Sequence, residues 1–194
     1  VDRDRFISKG AAATYTQKLS EALDLKLVGA YRQGDGRQFI DFEELNANLF
    51  QVPAEYADDQ TSGELQLTYT NDLVKGVAGL YYFSGTASGA FDAPLGANVP
   101  PLTSLTKGSV DTESMAVYFD TTWTLTERLN MNVGARWNED DKEADVFVQV
   151  YAGRLAQNAT LIDQFNVPPG FIAIGAPQTN YTISRTFSDV SPRL

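Results

Sequence analysis

The chain has no cysteine and no histidine. That removes disulfides, zinc sites built from Cys or His, thiol nucleophiles and the serine triad that needs a His base. No run of about 20 apolar residues occurs, so no segment reads as a transmembrane helix. Basic residues are in deficit, 15 Lys and Arg against 25 Asp and Glu, for a formal net charge of -10. They do not cluster as a phosphate-tracking surface requires, which disfavours nucleic-acid binding. Val1, Asp2, Arg3, Asp4 and Arg5 are followed by no apolar h-region, so no signal peptide is read there. Ser188 to Leu194 open a strand and stop, so both ends look cut and the sequence reads as a piece of a longer protein.

What is present is alternation. The chain is 43% hydrophobic and 21% charged, too apolar for a disordered tail. From Met115, the residues Met115, Val117, Phe119, Thr121, Trp123 and Leu125 interleave with Ser114, Ala116, Tyr118, Asp120, Thr122 and Thr124. After Thr126, Glu127 and Arg128 the pattern resumes as Leu129, Met131, Val133, Ala135 and Trp137 against Asn130, Asn132, Gly134, Arg136 and Asn138. Period two makes this a hairpin with one apolar and one polar face. Strands of soluble sandwiches run about 5 to 6 residues. These runs match the roughly 9 to 11 that a tilted strand needs to cross a bilayer, with aromatics near their ends.

The same plan recurs along the chain. A first strand spans about Ile7 to Leu19, with Ala13, Tyr15 and Leu19 on one face and Thr14, Thr16 and Lys18 on the other. Ser20, Glu21 and Ala22 turn the chain into a clear second strand, Leu23 to Arg32. Gly34 to Asp59 is expected to be a long loop with a helical turn around Phe42 to Ala47. Glu64 to Thr70 is a strand, Asn71 and Asp72 a turn, and Val74 to Ser84 a strand apolar on both faces whose orientation stays open. A second loop is expected from Gly85 to Val110. The last strand of the central hairpin continues past Glu139, Asp140, Asp141 and Glu143 to Val150, and a third loop is expected from Tyr151 to Ser184.

Short turns therefore alternate with long connections three times, the asymmetry of outer-membrane barrels. The reading is an all-β, antiparallel up-and-down meander forming part of a large transmembrane β-barrel. It assigns Leu23, Leu25, Leu27, Leu65, Leu67, Tyr69, Met115, Val117, Phe119, Trp123, Leu125, Leu129, Met131, Val133 and Trp137 to lipid. Asp24, Lys26, Arg32, Glu64, Gln66, Tyr118, Asp120, Asn130, Asn132 and Arg136 are assigned to the lumen.

Six segments, in order, resemble the β-barrel region of TonB-dependent outer-membrane receptors. They are Phe39 to Phe42; Thr61 to Leu67, like the family's Ser-Gln-Glu-Leu-Arg-Leu strand; and Gly79 to Phe83, like its Gly-Leu-Tyr-Tyr-Phe strand. Asp111 to Tyr118, the Gly134-Ala135-Arg136-Trp137 segment and Phe187 to Arg193 complete the set. Gly63 and Gln66 depart from the family's Gln and Arg without disturbing the alternation. The resemblance implies residues 1–194 of a partial barrel, about six strands plus the start of a seventh out of the family's 22, with the plug, the TonB box and the closing C-terminal strands not included. It implies active uptake of a scarce nutrient such as a ferric siderophore across the outer membrane of a Gram-negative bacterium, with outer-membrane lipid, the N-terminal plug and the TonB complex as partners. The alternatives are a passive porin-like channel and a soluble β-sandwich carbohydrate-binding module.

No catalytic, metal or cofactor site is read. No general base or nucleophile is identifiable, so the chain is not expected to be an enzyme. The acidic run Glu139 to Glu143 reads as a solvated strand end, as do Asp41, Glu43, Glu44, Asp58 and Asp59, because the spacing has no calcium-loop pattern. Arg32, Lys26, Asp120 and Arg136 are expected to pair with one another or to meet a plug. Tyr81, Tyr82, Trp123 and Trp137 read as girdle or wall aromatics. Phe42, Phe50, Tyr56, Phe91, Phe165 and Phe171 are expected on loops, gripping a ligand or packing loop on loop; which residues bind it is unknown. Asn158 and Asn180 fit glycosylation sequons, without meaning in a bacterial protein.

Overall fold

The computed structural model describes residues 4–41, 51–95, 102–152 and 172–193. Its strands are β1 (Arg5–Lys18), β2 (Leu23–Asp41), β3 (Gln51–Thr70), β4 (Val74–Pro94), β5 (Leu102–Thr126), β6 (Leu129–Ala152), β7 (Ile172–Ala173) and β8 (Thr179–Arg193). Strands β1 to β6 pair antiparallel in chain order, and β7 and β8 both add to the far edge of β6. This is a single-layer meander.

The short turns fall where side-chain chemistry favours them. Asn71 Oδ1 accepts from the amides of Leu73 and Val74 at 3.0 and 2.6 Å, an Asx turn that reverses β3 into β4. Ser20 Oγ accepts from the Ala22 amide at 3.2 Å in the β1–β2 turn. At the β5–β6 turn the register shifts between Thr124 and Thr126.

The long loops expected from composition are mostly strand. Gly34 to Asp41 pairs with Gln51 to Asp58, and Gly85 to Pro94 pairs with Thr103 to Thr112. Thr179 to Ser184 pairs with Glu143 to Val148, so β8 starts well before the onset expected at Ser188. Glycine and proline misled the reading because each sits where the ladder tolerates it. Pro53 lies just beyond the last β3–β4 pair, Ala54–Phe91, and Pro94 pairs with β5 alone. A missing N–H costs little on an edge. The helical turn expected at Phe42 to Ala47 lies outside the described residues.

One register fixes two faces. Leu27 pairs with Leu65, Leu65 with Leu80, Leu80 with Val117 and Val117 with Trp137, so every residue assigned to lipid shares one face. Lys26 pairs with Gln66, Gln66 with Gly79, Gly79 with Tyr118 and Tyr118 with Arg136, and every residue assigned to the lumen shares the other. The open orientation of β4 is thereby decided: Ala78, Leu80 and Tyr82 join the apolar face, while Lys75, Val77, Gly79, Tyr81 and Phe83 join the polar one. In β1, Ala13 and Tyr15 oppose Gly29 and Leu27 on the apolar face.

The buried apolar residues, Val52, Ala54, Ala90, Leu105, Ala116 and Tyr151, lie mainly toward the loop-side ends of the strands. In contrast, Val117, Phe119 and Trp123 are 50%, 44% and 43% exposed in mid-sheet. A single layer has no interior to hide them; their solvent must be apolar.

Glycine requirements differ sharply by position. A Cβ on Gly134 would lie 2.9 Å from the Phe119 carbonyl oxygen and 3.0 Å from Asp120 Oδ2, whereas one on Gly63 would meet nothing within 4 Å. Gly134→Val is therefore expected to destabilise the barrel by about 1–3 kcal/mol. Gly63→Ala should be neutral or stabilise by up to about 1 kcal/mol. Urea unfolding of the full-length receptor refolded in detergent measures both.

Candidate functional site

The polar face carries a network that crosses three strands. Tyr118 on β5 donates to Glu64 Oε1 on β3 at 2.7 Å, over the intervening β4. It reaches that far because Gly79 lies beneath it: a Cβ there would fall 2.5 Å from the phenol. Arg136, opposite Tyr118, sits 5.6 Å from the Tyr118 ring and 5.9 Å from that of Tyr81, and its Nε donates to Asn138 Oδ1 at 2.6 Å. Thr122 donates to Asn132 at 2.8 Å.

Of the charged wall residues, Arg32 and Asp120 form ion pairs, but not with one another as expected. Arg32 binds Asp58 at 3.2 Å, and Asp120 binds Arg193 at 2.9 Å. Exposed pairs of this kind contribute about 0–1 kcal/mol each, so they arrange the surface more than they stabilise it. Asp58 was read as a loop residue; continuing the alternation of β3 upstream would have placed it on the same face as Glu64. Nothing in the sequence singled out Arg193 as the partner of Asp120, because a contact from β8 back to β5 depends on the full register.

On the apolar face the few polar atoms are satisfied locally. Thr121 Oγ1 donates to the Val133 carbonyl at 2.9 Å and accepts from Trp123 Nε1 at 3.1 Å. The tyrosine hydroxyls diverge from the middle of the sheet. Near the short turns, Tyr15 donates to Gln17 at 2.9 Å, and the Tyr69 hydroxyl accepts from Asn71 Nδ2 at 2.9 Å. On the other side, Tyr31 donates toward Gln33 at 3.4 Å. Phenols that sink their rings in a band and turn their hydroxyls outward from both rims form an interfacial girdle. Met115 to Leu125 covers about 33 Å of strand at about 3.3 Å per residue. A tilt of about 40° reduces that to about 25 Å, the height of an outer-membrane apolar band.

Past the band the same face turns hydrophilic. Asp111, Glu113, Asp141, Glu143 and Asp145 follow on β5 and β6, and hydroxyls of the neighbouring strands bond them: Thr86 to Asp111, Thr186 to Asp141 and Thr182 to Asp145. The acidic run divides by parity, since Asp140 points to the opposite face and accepts from Ser114 at 2.6 Å. At the loop-side end, burial and the Asp92 carboxylate push the Tyr151 phenol above its ordinary pKa.

A family profile described as TonB dependent receptor-like, beta-barrel, matches residues 1–194. The chain belongs to the TonB-dependent receptor β-barrel family. Its fold is similar to that of the ferric yersiniabactin uptake receptor FyuA from Yersinia pestis, at 16% identity and a TM-score of 0.61, over 97% of this chain and 26% of that one. It is also similar to the closed form of the ferric-catecholate import receptor Fiu from E. coli K12, at 10% identity and a TM-score of 0.52, over 98% of this chain and 31% of that one. No curated protein sequence matches. The receptor chain thus spans between a quarter and a third of the solved barrels it resembles, as an open part of a larger barrel wall. Family membership places it in the Gram-negative outer membrane.

The crossing at Gly79 is testable. Tyr118→Phe should destabilise the receptor by about 1.5–2 kcal/mol, the lower part of the range for a hydrogen bond to a charged group, because the site is partly wet. Gly79→Ala should displace the phenol and lose a similar amount. If the two act through one contact, urea titrations will show the double variant little worse than the single ones.

Proposed function

We propose that these strands form one wall of a receptor that imports a scarce, bulky nutrient, such as a ferric siderophore, with energy supplied through TonB. The apolar face meets hydrocarbon, and the polar face lines a lumen in which a plug from the same receptor would sit. The reading is carried by one observation above all: a band about 25 Å tall whose girdle hydroxyls turn outward at both rims, set back to back with a face wired by Glu64, Tyr118 and Arg136. Charged groups at membrane depth persist by facing protein or water, and Asp24, Lys26, Glu64, Asp120 and Arg136 all lie on one side. Nothing in the wall does bond-making chemistry; it offers rigidity and a surface against which a plug or ligand is held. That FyuA and Fiu are named for ferric ligands supports iron uptake as the class of transport.

Spin labels at successive sites from Met115 to Leu125 in the reconstituted receptor should alternate, odd positions favouring oxygen and even positions favouring a nickel chelate. Loss of that alternation overturns the facing. Radiolabelled ferric siderophore should accumulate in cells only while TonB is present; uptake that survives its deletion, with a steady conductance in planar bilayers, would instead identify a passive channel.

A further inference from the structure

We draw no further inference here: the strongest candidate, the belt of exposed carboxylates that Asp111, Glu113, Asp141, Glu143 and Asp145 form on the outward face of β5 and β6 just beyond the lipid band, is an acidic cluster whose bonds run to hydroxyls of the same sheet, at Thr86, Thr182 and Thr186, and nothing among the described residues shows what covers it.

Discussion

Everything in this sheet follows from the cost of an unpaired backbone amide or carbonyl in hydrocarbon. With no water to bond, a chain that crosses as strands must hand each polar group to a neighbour without interruption. The ladder here is correspondingly continuous: β4 and β5 pair from Val74 and Trp123 to Pro94 and Thr103 without a break. Once the ladder is continuous, the register is fixed; once the register is fixed, side-chain parity assigns every residue to one of two faces. A slip by one residue would place Glu64 and Arg136 among Leu65 and Trp137, so the sharp chemical difference between the faces also guards the pairing. Backbone satisfaction and amphipathicity specify the same arrangement.

The parity was legible because membrane-depth residues are sorted strictly. Leu23 to Leu27, Leu65 to Tyr69 and Met115 to Trp137 alternate in a way that soluble strands of this length seldom do, and the short turns at Ser20 and Asn71 carry the residues such turns need. Strand β4 was illegible for a physical reason. Val77, Tyr81 and Phe83 occupy the polar face because they cover wall and not lipid, so hydropathy cannot separate them from Ala78 and Leu80; only the neighbours do. The loop-side halves were misread for another reason. Beyond the lipid band nothing enforces apolar alternation, so Gly34 to Asp41 and Gly85 to Pro94 read as loop although their backbones continue the ladder. The Tyr118–Glu64 contact was hidden too, since it joins residues 54 apart across a strand that lies between them.

The polar wall shows how a one-layer structure builds a network without a core. In a two-layer protein a tyrosine reaches its partner through packed neighbours. Here Tyr118 must lie flat along the sheet, and the missing side chain at Gly79 makes room. Arg136 then finds two ring faces, Tyr81 and Tyr118, already oriented. The exposed ion pairs Arg32–Asp58 and Asp120–Arg193 add little energy each, but they tie β2 to β3 and β5 to β8. Such a wall is stiffened sideways by polar contacts and lengthwise by the ladder, which suits a frame inside which something else moves.

The two faces exchange character where the strands leave the bilayer. Within the band the outward face is apolar and the inward face polar. Past Met115 and Trp137 the outward face becomes acidic and hydroxylated, from Glu113 and Asp141 onward, while on β4, β5, β6 and β8 the other face turns apolar at Ala87, Val110, Ala144 and Ile183, beside the Arg32–Asp58 pair of β2 and β3. The first change is demanded by the solvent, because lipid gives way to water and headgroups. The second lies on the side where the proposed reading seats a plug, so the surface it must match there is protein as well as water.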